Sequence, residues 1–240
     1  MPVGMLPTRE IIAANLERVL ERIAAACARC DRSADDVRLV AVTKYADLEW
    51  VHALVALNVR DLGESRPQQL TERAPQFEPD LRWHLIGHLQ RNKARKMLPI
   101  AHCIHSVDSL RLLSAIDRLG EELGIRPRVL LEVNVSGEDV KDGFAEESLA
   151  AAWNDVTDCK HVDVAGLMTM APFGENPEEA RPVFQRLREL RDRLRDISSP
   201  GLTLDELSMG MSRDFEVAIE EGATIIRVGR TLYEGLERQE

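Results

Sequence analysis

Eight short apolar runs alternate with amphipathic segments along almost the whole chain, and this alternation constrains the fold more than any other feature. The runs lie at 37–44, 61–64, 83–88, 103–106, 128–135, 164–170, 204–209 and 224–228. Several of them, such as LVAV and VLLEVNV, are apolar with almost no break, as strands buried on both faces must be. Between them the pattern shifts to helical spacing. A leading helix over 9–29 carries Ile12, Leu16, Val19, Leu20 and Ile23 on one face. Further helices are expected at 48–58 (capped by Asp47), 68–77, 91–97, 110–123 (opened by Asp108 or Ser109), 146–158 and 177–197. Parallel strands need a crossover between each pair, and helices of this length supply it. The expectation is α/β: one (β/α)8 TIM barrel spanning 1–240, with an extra N-terminal helix. A doubly wound open sheet is the alternative. No linker, low-complexity tract or composition break divides the chain.

Composition removes several functions. Forty-one acidic against 31 basic residues leave a net charge of −10, which argues against broad binding to nucleic acid or an anionic membrane. No apolar run reaches the roughly 20 residues that span a bilayer, and 1–10 lacks the apolar centre of a leader. Cys27 and Cys30 form C-x-x-C, but no second pair completes a zinc set, and both fall on the leading helix. A reduced, cytoplasmic protein with no metal is expected.

The polar residues gather at strand ends. Thr43 and Lys44, Glu64 and Ser65, Gly87 and His88, Ser106, Asn134 and Ser136, Thr169 and Met170, and the stretches 208–212 and 227–230 all fall there. In a barrel this is the functional face. The segment 207–229, LSMGMSRDFEVAIEEGATIIRVG, reads as a small-residue turn (Ser208, Gly210, Ser212), a short helix, and a strand ending at Arg227 and Gly229. Such a turn directs N–H groups and hydroxyls at a phosphate. Strand eight of a barrel lies beside strand one, so Lys44 is expected next to that turn. An amine beside a phosphate cradle points to a phosphorylated aldehyde held as a Schiff base, with Arg227 as a nearby cation. The plainer reading of Lys44 is a solvated strand-end lysine.

Arg227 interrupts an apolar strand. It is expected either to pair with a carboxylate such as Glu132 or to face a ligand, where it would keep a pyridine nitrogen unprotonated. His84 and His88, four residues apart, are expected on one strand face without a third metal ligand, with His88 at the mouth. Lys141, in a polar loop, is a candidate for transient capture of the ligand or a solvated lysine. The arginine-rich stretch 181–195 places Phe184, Leu187, Leu190 and Leu194 on one face and its charges on a solvated one. No G-x-S-x-G, P-loop or H-E-x-x-H pattern occurs.

The segments LVAVTK (39–44), LGES (62–65), WHLIGHLQRNKARK (83–96), EVNVSGEDVKDGF (132–144), GLMTMAP (166–172) and 207–229 together resemble the YggS/PROSC family of pyridoxal phosphate (PLP) homeostasis proteins. The resemblance implies an alanine-racemase-like barrel of the third PLP fold type. It implies PLP as an internal aldimine on Lys44, with Ser65 and Ile86 flanking the ring. It also implies Arg227 at the pyridine nitrogen and Ser212, Gly229 and Arg230 at the phosphate. Ser65 stands where the family usually has Asn, and Arg230 where it commonly has Ser or Thr. Arg230 keeps its backbone N–H and adds a guanidinium. The implied function is carrying or buffering PLP for vitamin B6 homeostasis. Robust turnover is not expected, because the chain stops at Glu240 without the β-domain of the racemases. PLP-requiring apoenzymes are the implied recipients, and a monomer is expected. Two alternatives are a barrel-only PLP racemase or lyase, and a cofactor-free Schiff-base aldolase.

Overall fold

The computed structural model describes residues 7–135, 142–172, 174–198 and 201–237. Eight strands pair in parallel and in sequence order, and the last closes on the first to make a barrel. They are β1 (Arg38–Val42), β2 (Asp61–Glu64), β3 (Arg82–Leu85), β4 (Cys103–Val107), β5 (Arg128–Glu132), β6 (Asp163–Met168), β7 (Glu206–Met211) and β8 (Ile225–Val228). The helices are α1 (Thr8–Arg29), α2 (Leu48–Ala56), α3 (Pro67–Arg73), α4 (Arg91–Met97), α5 (Leu110–Leu123), α6 (Glu146–Ala151), α7 (Trp153–Thr157), α8 (Arg181–Asp196) and α9 (Phe215–Glu220). The barrel is therefore the fold the alternation called for. The open sheet is excluded by the β1–β8 pairing.

The core has two parts. Val40, Cys103, Leu130, Ala165, Met168 and Ile225 form a small cluster of their own. The larger part holds strand residues such as Leu62, Leu85, Leu167 and Leu207 together with helix residues such as Leu54, Leu70, Leu113 and Leu187. α1 packs on α2, α9 and the 3-10 turn Arg230–Tyr233. Asn15 ties it down by donating to the carbonyls of Leu232 (3.1 Å) and Glu234 (2.9 Å). One end of the barrel carries a ring of charges. Arg38 meets Glu206 at 2.9 Å, Arg128 meets Glu206 at 3.2 Å and Asp163 at 2.5 Å, and Arg82 meets Asp61 at 2.6 Å.

Some boundaries differ from the pattern. Ser109 caps α5 through a bond to the Leu112 N–H, but Asp47 occupies the cap position of α2 without the side-chain cap bond. The expected helix over 146–158 is broken at Ala152 into α6 and α7. Nor is the arginine face of α8 simply solvated. Arg181 bonds Glu220 (2.7 Å) and Glu221 (2.8 Å), and Arg188 bonds Glu221 (2.9 Å), so these arginines fasten α8 to α9.

Candidate functional site at the strand ends

Lys44 lies in a tight turn just past β1. The Thr43 N–H donates to the Gly63 carbonyl (2.8 Å), continuing the sheet, and the Ala46 N–H folds back on the Thr43 carbonyl (2.9 Å). Arg73, at the end of α3, clamps this turn. Its Nη1 donates to the Thr43 carbonyl at 2.7 Å and its Nη2 to the Ala46 carbonyl at 2.6 Å. The same guanidinium meets the Glu64 carboxylate at 2.7 Å, and the Thr43 hydroxyl donates to that carboxylate at 2.7 Å. Glu64 is wholly buried, and burial raises its carboxyl against the pull of Thr43 and Arg73. The backbone on both sides of Lys44 is thus fixed, while its side chain is half-buried with Nζ 5.2 Å from the centre of the Tyr45 ring.

The β1–β8 register pairs Val40 with Arg227 and Ala41 with Val228, so Gly229 arrives beside the end of β1. A Cβ at Gly229 would lie 3.1 Å from the Val42 Cβ, which explains a glycine there by packing against β1. The Gly229 N–H donates to Ser212 Oγ (3.3 Å), which draws the β7 end toward the β8 end. Arg230 follows, exposed, in the 3-10 turn. On the other flank of β1, Ser65 and Ile86 follow β2 and β3 and are half-buried. The strands thus bring Lys44, Ser212 and Gly229 to one sector, with Ser65 and Ile86 on the neighbouring strands. Ser136 and Lys141 lie outside the described residues.

The small-residue turn begins later than the pattern suggested. Ser208 and Gly210 belong to β7, whose register with β8 shifts between Ser208 and Met211. Gly210 takes φ +90°, and a Cβ there would lie 2.6 Å from the Ala218 Cβ, so this bulge needs glycine. Only Ser212 stands in the turn. Asp214 closes that turn by accepting from the Met211 N–H at 2.6 Å.

Arg227 is buried at 4% exposure, and its partners are neutral. Nη1 donates to Ser208 Oγ (2.6 Å) and Nη2 to the Thr169 carbonyl (3.0 Å). Among the described residues it forms no ion pair with Glu132, so the expected pairing is absent. Burial lowers Arg227 to about 10, with Asp214 and Glu132 opposing, which leaves it cationic at neutral pH. Glu132 moves the other way. Burial, reinforced by Asp108 and Asp142 and opposed by Arg227 and His88, raises its carboxyl to about 7.

His84 and His88 do not share a strand face, because β3 ends at Leu85 and the chain turns before His88. His84 is fully buried, with Nδ1 2.9 Å from His105 Nε2 and Nε2 2.9 Å from Asp61 Oδ1. His88 is exposed at the mouth, 3.0 Å from Asp108 Oδ2. Each histidine has ligand-type neighbours of its own. His84, Cys103 and His105 form one group, and His88, Asp108 and Asp142 another, with atoms within 4.8 Å of one another. Arg73, His105 and Asp61 escaped the sequence reading. A histidine inside the apolar strand CIHSV was the one signal available for His105.

A closed parallel barrel with a lysine just past its first strand and a buried arginine on its last defines a protein of the alanine racemase barrel class. The alanine racemase N-terminal domain family matches residues 15–237. The barrel superposes on alanine racemase from Clostridium difficile with a TM-score of 0.76 at 15% identity, covering 96% of this chain and 58% of that one. Within that class the chain belongs to the pyridoxal phosphate homeostasis protein family. It is 41% identical over 220 residues to the member from Aquifex aeolicus, covering 91% of this chain and 96% of the relative. It is also similar to PipY of Synechococcus elongatus, solved with PLP bound, with a TM-score of 0.79 at 36% identity and coverage of 90% and 99%. Among the described residues no helix is long and apolar enough to cross a membrane.

Proposed function

We propose that this chain binds PLP through Lys44 and serves as a carrier or buffer of the cofactor in vitamin B6 homeostasis. The observation that carries the reading is the juxtaposition made by the β1–β8 closure: a clamped turn bearing a primary amine, the Ser212–Gly229 pair, and a buried guanidinium on one barrel end. Family membership and the PLP-bound relative support it.

The donor set fits the cofactor. When bound, PLP supplies an aldehyde that condenses with a primary amine. Lys44 would hold that end covalently. Ser212, the Gly229 backbone and Arg230 would hold the phosphate with a hydroxyl, an N–H and a guanidinium. Ser65 and Ile86 would flank the ring. Arg227 would face the ring nitrogen. Two of its five N–H donors are used by Ser208 and Thr169, and it remains cationic. A permanent donor there keeps a proton off the ring nitrogen, which weakens the ring as an electron sink and suits holding the cofactor better than turning over a substrate. PLP-requiring apoenzymes would be the recipients, and a cytoplasmic monomer would suffice. A barrel-only racemase or lyase is the second reading. Glu132 favours it, because a carboxyl near 7 at the mouth can hold or release a proton at neutral pH.

Addition of PLP to the purified protein tests the proposal. A visible absorption band should appear in the wild type and be absent in Lys44→Ala. Identical spectra would refute it. Multiple turnover of an amino acid would move the assignment to the second reading.

A further inference from the structure

Behind Arg227, a continuous file of buried polar groups crosses the barrel interior. Arg227 Nη1 lies 2.6 Å from Ser208 Oγ, and Ser208 Oγ lies 2.8 Å from His105 Nδ1. His105 Nε2 is then 2.9 Å from His84 Nδ1, and His84 Nε2 is 2.9 Å from Asp61 Oδ1. Every distance is that of a hydrogen bond. Ser208, His105 and His84 are completely buried, and Asp61 is 6% exposed. From this geometry we infer that Ser208, His105, His84 and Asp61 form a one-directional hydrogen-bond relay that positions Arg227 from the far end of the barrel. The inference rests on the PLP reading for what Arg227 faces, but not for the relay itself.

The Asp61 end of the file fixes its direction. A carboxylate only accepts and a guanidinium only donates. Asp61 is ionised. Burial works against its charge, but the hydrogen bonds from Arg82 and His84 hold its carboxyl well below the usual range. His84 must therefore carry its proton on Nε2. A neutral His84 then accepts at Nδ1, so His105 also donates from Nε2 and accepts at Nδ1. The Ser208 hydroxyl proton must go to His105, which leaves the Ser208 lone pairs for Arg227. Arg227, which can only donate, is compatible with this assignment, because Ser208 has a lone pair left to accept from it. All four protons point from Arg227 toward Asp61, and reversing any one link sets two donors or two acceptors face to face.

Neutral imidazoles are required throughout, and the surroundings favour them. Burial lowers both histidines, and for His105 the nearby His84 and Arg227 add to the effect. All four ring nitrogens are committed to the relay, so Cys103, although it lies beside both rings, finds no free imidazole to share a metal with. At the far end, Asp61 is itself held by Arg82 through two bonds of 2.8 and 2.6 Å, next to the charged ring. The functional consequence lies at the mouth. Ser208 fixes one arm of the guanidinium and the Thr169 carbonyl the other, so the plane of Arg227 is set before any ligand arrives. Asp61, His84 and His105 are positioning residues, because they act on Arg227 only through Ser208.

Asp61→Asn is the informative variant. With Arg82 Nη2 still donating to an amide oxygen at the Oδ2 position, the amide N–H stands at the Oδ1 position, where it faces His84 and displaces the half-exposed Arg82 Nε from its bond. His84 and His105 should then both move their protons to Nδ1, and Ser208 should meet two donors. Nitrogen-15 NMR of histidine-labelled protein without PLP reads this directly. The wild type should show both buried rings neutral and protonated on Nε2, and Asp61→Asn should invert both, including His105, which does not touch Asp61. PLP affinity should fall about ten-fold in Asp61→Asn and in Ser208→Ala, but the double variant should be no worse than Ser208→Ala alone. Arg82→Gln breaks the same ion pair and leaves Asp61 an acceptor, so it should keep the tautomers and the affinity. The relay is overturned if either ring in the wild type carries its proton on Nδ1, if His105 ignores Asp61→Asn, or if the two affinity losses add. Should Asp61→Asn fail to fold, the wild-type tautomers decide alone. A wild type that binds no PLP would remove the functional reading and leave the tautomer result standing.

Discussion

Glu132 ties the stability of the barrel to pH in a way that can be worked out in advance. Its carboxyl sits at the end of β5, buried, near Asp108 and Asp142, with Arg227 and His88 as the opposing charges. Its ordinary value is 4.5, and in the folded protein it is raised to about 7. Between those values the folded protein keeps a proton that the unfolded chain has released. The contribution is therefore fully present below pH 4.5 and is lost as pH rises through about 7, at up to about 3 kcal/mol. In the wild type alone this trend is masked. His84 and His105 are held below their ordinary 6.5, so they lose stability in the opposite direction, as pH falls. The comparison with Glu132→Gln removes that background, because both proteins carry the same histidines. Urea unfolding at about pH 5 and about pH 8 should show Glu132→Gln gaining on the wild type by about 2.5 kcal/mol over the interval. Asp108→Asn should shrink the gain, because it removes the charge that adds most to burial. A stability difference between Glu132→Gln and wild type that is flat across this range would refute the reasoning.

Three further outcomes follow from packing and hydrogen bonding. Arg73→Met strands the buried Glu64 carboxylate and two carbonyls of the Lys44 turn, so it should cost about 3–5 kcal/mol in urea unfolding and slow the appearance of the PLP band. Gly210→Ala forces a side chain into φ +90° with its Cβ 2.6 Å from the Ala218 Cβ, and should cost at least about 2 kcal/mol, read as a lowered Tm. Phe184→Ala empties a fully buried site on α8 and should cost about 3–5 kcal/mol without altering the spectrum of bound PLP.

The legible part of this chain is the part written in local pattern. Unbroken apolar runs marked the strands, and period-3.6 spacing marked α1, α5 and α8, because a barrel strand is buried on both faces and a helix on one. Lys44 and Arg227 stood out because a charge beside or within an apolar run has to be explained. The errors fall where local pattern runs past a structural boundary. HLIGH looks like one strand, but β3 stops at Leu85, so His84 points into the interior and His88 sits at the mouth. Ser208 and Gly210 look like a turn, but a bulge keeps them in β7. The relay was out of reach for another reason. Asp61 and His84 meet because β2 pairs with β3, but His105 on β4 and Ser208 on β7 are 103 residues apart and meet only across the closed barrel. Arg73 was missed in the same way, since its bonds to the turn of Lys44 run back across 27 to 30 residues.

The central claim is that Lys44 is the residue that holds the cofactor. Its most direct test is borohydride reduction of the PLP-loaded protein, followed by proteolysis and mass spectrometry. A phosphopyridoxyl group on the peptide containing Lys44, and no label in Lys44→Ala, is the predicted result. Label at another lysine, such as Lys93 or Lys160, or no label in a protein that has taken up PLP, would contradict it.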